Sequence, residues 1–147
     1  MIPLARIDRA LIETLVPQKG RMCLLDGVEE LRAEGIVARA PAPDAFHPLA
    51  GGGRLAAVAC VEIGLQAMAL HGALVDGAGQ RPGFVSSLGD LLVTRSHAGP
   101  FRFLATADLL FRSEGGFAYR FAVRQEDDLL VAGKATIMFP EPGILGA

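Results

Sequence analysis

Between Leu55 and Val75 only Glu62, Gln66 and His71 carry polar side chains. A run of that length exceeds an ordinary strand. It predicts a helix that is apolar nearly all round, and such a helix must be covered by protein on most of its sides. The carboxylate in its middle also requires a reason, because Glu is almost never fully buried without a partner.

The run is long enough to test as a membrane span. Glu62 would then sit near the bilayer centre, where an acidic residue costs roughly 2.5–3.5 kcal/mol, and Gln66 and His71 add to that cost. Much of the remainder is Ala, which drives insertion weakly, and no aromatic belt flanks the run. The expectation is a buried helix of a soluble domain, with no membrane span.

Strands that could cover this helix follow it in the chain. Phe84 to Thr94 reads as one. Residues 101, 103, 105, 107, 109 and 111 (Phe, Phe, Ala, Ala, Leu, Phe) then alternate with Arg102, Thr106, Asp108 and Arg112. Phe117, Tyr119, Phe121 and Val123 alternate with Ala118, Arg120 and Arg124, and Leu129 to Phe139 does the same around Lys134 and Thr136. Clean alternation predicts antiparallel sheet with one apolar face inward, and Gly115-Gly116 and Asp127-Asp128 supply the turns. Asp76 to Gly83 reads as the loop between helix and strands. Upstream, Ile7 to Leu15 repeats apolar residues at helical spacing and stops at Val16-Pro17. Met22 to Leu25 suits a core strand, and Val28 to Ala40 a hairpin arm with its turn at Glu34-Gly35. Pro41 to Asp44 breaks regular structure and delivers Phe46-His47-Pro48. The whole predicts an α+β chain, a curved antiparallel sheet wrapped around one long central helix. That is the hot-dog architecture, in one domain over residues 1–147.

Composition excludes several alternatives. With 147 residues, 51% of them hydrophobic and 20% charged, the chain can bury a sizeable core and does not read as disordered. A net charge of −2 gives no electrostatic footprint for nucleic acid. No charged segment followed by an apolar stretch opens the sequence, so no secretory signal is visible and a cytoplasmic location is expected. Cys23 and Cys60 form neither a disulfide framework nor a metal-ligand spacing, and no metal is expected.

Few residues remain for chemistry. Glu62 and Gln66, one turn apart, share a helix face; His71 falls on the other side and reads as structural. His97 lies in a Gly-Pro turn and reads as solvated, and Cys60 has no evident base to activate it. His47 and Glu62 are left, with two readings open. In one, His47 is an ordinary loop histidine and Glu62 a buried acid paired with an Arg, Arg54 being nearest. In the other they are a base and an acid facing one pocket: burial raises a Glu pKa, which suits a proton donor, and His is the usual base near neutrality. Gly51-Gly52-Gly53 reads as a turn into the core rather than a phosphate loop.

The same residues resemble the 3-hydroxyacyl-acyl-carrier-protein dehydratases of the hot-dog superfamily over nearly the whole chain. Leu15-Val-Pro17 and Met22-Cys-Leu-Leu-Asp26-Gly-Val28 are similar to that family's N-terminal segment. His47, Glu62 and Gln66 stand where it has its catalytic His, its acid and the Gln one turn later. Phe84-Val-Ser-Ser-Leu88 resembles the start of its third strand. Within the family the chain is most similar to the dehydratase-like proteins of aryl polyene clusters, through His47-Pro48-Leu49, Gly53-Arg54-Leu55, Gln66-Ala-Met-Ala69 and His71-Gly72. Departures also stand out. Ala56-Ala57 replaces the Pro-Gly pair before the helix, Gln18 replaces the usual N-terminal His, and Cys60 stands where the subgroup tends to have Gly. These leave room for altered substrate choice or for a weakly active partner subunit.

The resemblance implies dehydration of a 3-hydroxyacyl thioester, carried by acyl carrier protein or CoA, to the trans-2-enoyl thioester in fatty-acid or polyene-type synthesis. His47 would remove the C2 proton and Glu62 protonate the departing hydroxyl, with Gln66 and Arg54 as orienting or substrate-binding residues. It implies no cofactor, and a homodimer or a heterodimer with a related hot-dog subunit, because the family draws its two residues from different protomers. The alternatives are a hot-dog acyl thioesterase, in which the helix carboxylate activates water or attacks the thioester, and a partner subunit that completes another protomer's site.

Overall fold

The computed structural model describes residues 2–77 and 83–140. A short helix α1 (Arg9–Leu15) precedes a hairpin of β1 (Gly27–Arg32) and β2 (Gly35–Ala40). The apolar run forms a single 3-10 turn, Ala57–Cys60, and then the long helix α2 (Val61–Asp76). Four strands follow: β3 (Phe84–Val93), β4 (Phe103–Ser113), β5 (Gly116–Gln125) and β6 (Asp128–Met138). All six belong to one antiparallel sheet in the order β1-β2-β4-β5-β6-β3, and α2 packs against its four central strands.

Local chemistry explains the helix boundaries. Asp8 caps α1, its carboxylate accepting the Leu11 N–H at 3.0 Å, and Val16-Pro17 ends it. Lys19 Nζ then donates to Val16 O at 2.9 Å and satisfies a carbonyl at the helix end. At the far end of α2, Gly77 takes φ +64°, the left-handed conformation in which Gly carries no side-chain penalty.

Period-two burial in β4 and β5 places Phe103, Tyr119 and Phe121 against Ile63, Met68 and Leu70 of α2, all fully buried or nearly so. Helix and sheet approach closely at Gly64, where an added Cβ would lie 2.6 Å from Phe121 Cδ2. The helix is long and apolar enough to cross a membrane by length and composition, Ala57–Asp76 in all. Yet 61% of its most apolar window is buried inside the protein, as in a core helix. His71 is buried there as a structural residue: Nε2 pairs with Arg32 O at 2.9 Å and Nδ1 with the Tyr119 hydroxyl at 2.5 Å.

Three expectations are corrected. Met22 to Leu25 is not a strand: Met22 ends a 3-10 turn, and the next residues run irregularly because their polar backbone groups pair with a side chain of α2. The inward alternation of β4 does not persist to Phe111, which is 63% exposed beyond a register shift between Leu109 and Phe111. Phe84–Val93, read as one of the strands covering the helix, lies instead at the sheet edge, where it pairs with β6 and is exposed along its entire length. Of the predicted 76–83 loop, residues 78–82 lie outside the described residues.

Candidate active site

Glu62 stands in the first turn of α2, only partly buried, and opens into a cavity of about 160 Å³. The helix presents Glu62, Leu65, Ala69, Gly72 and Ala73 to this space, a stripe at helical spacing. Phe117 and Phe139, stacked edge to face with centroids 5.3 Å apart, contribute to the opposite wall. Gly83 and Val85, at the start of the edge strand β3, also line it. The result is an apolar slot with a carboxylate set in its wall.

Two amides hold that carboxylate. Gln66 Nε2 donates to Glu62 Oε1 at 3.1 Å, and Gln18 Nε2 donates to the same oxygen at 3.2 Å. A carboxyl oxygen that accepts two N–H groups carries no proton, so any proton on Glu62 sits on Oε2. Gln66 is itself fully buried and committed elsewhere: Nε2 also donates to Met22 O at 2.7 Å, and Oε1 accepts the Leu24 N–H at 2.9 Å. One side chain therefore fastens the 22–24 segment to α2 and orients the acid.

Arg54 is not the partner of Glu62. It lies exposed in a tight turn in which Gly51 and Arg54 exchange backbone hydrogen bonds of 2.8 and 3.1 Å. The chain reverses there before Leu55 is buried, which leaves the guanidinium outside. The unforeseen partner is Gln18. Its position directly after the helix-ending Val16-Pro17, where the resembling enzymes carry another polar side chain, was the available signal.

His47 sits elsewhere. Backbone turns fix its loop: His47 N donates to Asp44 O at 3.1 Å and Ala50 N to His47 O at 2.8 Å, while Arg21 donates to Phe46 O. Burial lowers the His47 pKa below 6.5; nearby Asp44 opposes this and Arg21 adds to it, so the ring is neutral at pH 7. Its Nδ1 accepts the Leu49 N–H at 3.1 Å, which puts the neutral ring's proton on Nε2. The cavity beside it is lined by Arg21, Asp44 and Phe46, and shares no residue with the Glu62 cavity. A single chain does not bring His47 and Glu62 into one pocket.

The remaining candidates take no part. Burial drives the Cys60 thiol up to about 12, and its Sγ donates a weak hydrogen bond to Ala56 O at 3.8 Å. His97 is partly buried, bridged to Ala56 through the backbone and paired with Ser96 Oγ at 3.1 Å. Among the described residues no group of three or more His, Cys, Asp or Glu could hold a metal ion.

Residues 10–143 match the family model of the ApeP-like proteins, described as ApeP dehydratase. No curated protein matches the sequence at a significant level. Among solved structures, the chain is similar to the dehydratase heterocomplex ApeI:P from Xenorhabdus doucetiae. The TM-score is 0.79 at 14% identity, covering 91% of this chain and 93% of that one. It is similar also to a mutant of the thioesterase SAV0944 from Staphylococcus aureus (TM-score 0.60, 18% identity, 76% and 89% covered). A mutant of the phenylacetic acid degradation protein PaaI from Thermus thermophilus follows the same pattern (TM-score 0.58, 21% identity, 77% and 91% covered). Likenesses at these identities establish the fold, which is the hot-dog fold.

Proposed function

We propose that this chain, which belongs to the ApeP-like dehydratase family, removes water from a 3-hydroxyacyl thioester in a site completed by a second hot-dog chain. The observation that carries the reading is the Glu62 carboxyl, its Oε1 held by two amides in the wall of an apolar slot. In the reaction the C2–H proton passes to a base, the C2=C3 bond forms, and the C3–O bond breaks. The Glu62 proton goes to the departing oxygen, and water and the trans-2-enoyl thioester leave. The acyl chain lies along the stripe of α2, where Gly72 and Ala73 leave room.

The second chain is needed because His47 and Glu62 occupy separate cavities. The edge strand supports such an assembly. On β3, Phe84, Leu88 and Leu92 are 53%, 45% and 53% exposed, and Phe46 beside His47 is 81% exposed. An unpaired apolar strand edge invites another strand. Since Val85 of β3 lines the Glu62 cavity, a chain added there would meet its mouth. The similar Xenorhabdus structure is a dehydratase heterocomplex, which favours a second dehydratase-like subunit as partner.

One observation favours a second reading. With Nδ1 accepting from Leu49, His47 can take a proton there only by breaking that bond. In that reading the partner supplies the working base, and this chain contributes the Glu62 slot.

The test is the dehydration rate of a 3-hydroxyacyl pantetheine thioester by wild type, His47→Ala and Glu62→Gln, and by the two variants refolded as an equimolar mixture. A homodimeric trans site gives two inactive variants and a mixture recovering about a quarter of the wild-type rate, since half the dimers then hold one intact site. Loss in Glu62→Gln alone supports the second reading. Equal rates in all three proteins refute both.

A further inference from the structure

We propose that Gln18 is a substrate-binding residue whose amide oxygen receives the hydrogen bond of the substrate's 3-hydroxyl. The inference deepens the dehydratase reading and rests on it. Gln18 lines the Glu62 cavity, and its Nε2 is committed to Glu62 Oε1 at 3.2 Å. A carboxylate oxygen only accepts, so the amide nitrogen must face Glu62 and the amide oxygen must turn away from it. That oxygen is buried and, among the described residues, is the one buried side-chain polar atom with no hydrogen-bond partner. Buried acceptors are costly to leave unpaired, and one set beside the acid of an apolar slot calls for a donor that arrives with the ligand.

The chemistry of elimination supplies that donor. To leave as water, the 3-hydroxyl must turn a lone pair toward the proton on Glu62 Oε2. Its own O–H then needs a second acceptor nearby. Leu65, Ala69, Phe117 and Phe139 offer none in this cavity, and Gln66 Oε1 is already occupied by Leu24 N–H. Gln18 Oε1 is the unpaired acceptor on a side chain that lines the same cavity and is hydrogen-bonded to Glu62. The backbone on either side of Gln18 is restrained: Pro17 precedes it, and Lys19 Nζ donates to Val16 O. A saturated acyl chain would leave Gln18 Oε1 unpaired. The residue thus selects for hydroxylated substrates before any chemistry occurs.

The test compares two ligands that cannot react: a 3-hydroxyalkyl pantetheine thioether and the alkyl thioether of equal length. Replacing the thioester carbonyl by CH₂ removes the acidic C2 proton. Affinities are measured by calorimetry on the protein as purified, with any subunit that accompanies it. Wild type is expected to prefer the hydroxylated ligand by about tenfold. Gln18→Met, similar in shape but without hydrogen-bonding groups, is expected to lose that preference while binding the alkyl thioether within about twofold of wild type. Gln18→His retains one donor and one acceptor and is expected to restore a preference of at least about threefold, which excludes simple misfolding. Equal binding of the two ligands by wild type, or an unchanged preference in Gln18→Met, overturns the inference and leaves the acyl slot standing. Failure of wild type to bind either thioether overturns the dehydratase reading and the inference with it.

Discussion

Replacing Gln66 by Leu should loosen this protein more than most single substitutions, because one amide serves three groups at once. Leu is close in size, so packing changes little, but Leu24 N–H and Met22 C=O would both lose their side-chain partner. Each buried backbone group left unpaired costs about 1–3 kcal/mol, and the added apolar contact offsets about 1 kcal/mol. The expected loss is about 1–5 kcal/mol. For a chain of this size that lowers Tm by roughly 2–20 °C. Urea denaturation followed by circular dichroism measures it, and an unchanged m-value shows that the denatured state is not responsible. A loss below about 1 kcal/mol would refute the idea that Gln66 fastens the 22–24 segment to α2. Gln66→Glu sharpens the test. The new carboxyl can still accept from Leu24 N–H, but its second oxygen faces Met22 O and Glu62 Oε1, and neither donates. Its pKa in the folded state is therefore raised above the ordinary value of about 4.3. The unfolded state then binds fewer protons than the folded one as pH rises from that value. This variant's deficit should grow with pH across that range, whereas the Leu variant's deficit should not.

Other substitutions probe the core and the titratable groups. Gly64→Ala places a Cβ 2.6 Å from a ring carbon of the buried Phe121. Overpacking of about 1–3 kcal/mol should outweigh the roughly 1 kcal/mol gained in helix propensity, and a double-mutant cycle with Phe121→Leu should show coupling of at least about 1 kcal/mol. Tyr119→Phe removes the hydroxyl paired with His71 Nδ1 and should cost about 1–3 kcal/mol in a denaturation experiment. Burial depresses the His71 pKa below 6.5, and backbone pairing at Arg32 opposes this only in part. Between the ordinary and the folded value the unfolded state binds the extra proton. Stability present above pH 6.5 should therefore be lost as pH falls through the folded value, and His71→Phe should flatten that limb of a denaturation-versus-pH series. With its thiol pushed to about 12, Cys60 should resist alkylation at pH 8 in the native protein and react once unfolded.

Much of this architecture was legible in residue periodicity. The period-two stretches at 103–107 and 117–123 and the apolar run after Leu55 meet as sheet and helix because each has an apolar face to bury. Glu62 and Gln66 were placed together by helical spacing alone. What periodicity does not carry is long-range pairing. Nothing local tells Phe84–Val93 to cross to β6 and become an exposed edge, and nothing in Met22 to Leu25 reveals that its backbone will pair with a side chain of α2. Arg54 was the nearest cation to Glu62 in sequence, yet neutral amides from Gln18 and Gln66 hold the carboxylate, and Gln18 lies far upstream. His47 and Glu62 were both visible as candidates. Their separation into two cavities depends on tertiary geometry, which no local pattern carries.

The Glu62 slot is the centre of this account. Its most direct test is the steady-state dehydration rate of a 3-hydroxyacyl pantetheine thioester by wild type and by Glu62→Gln, each with whatever hot-dog subunit accompanies it. Loss of a positioned general acid predicts a fall in kcat of about 10²–10⁴-fold with an unaltered fold. A Glu62→Gln protein that dehydrates the thioester as fast as wild type would contradict the account.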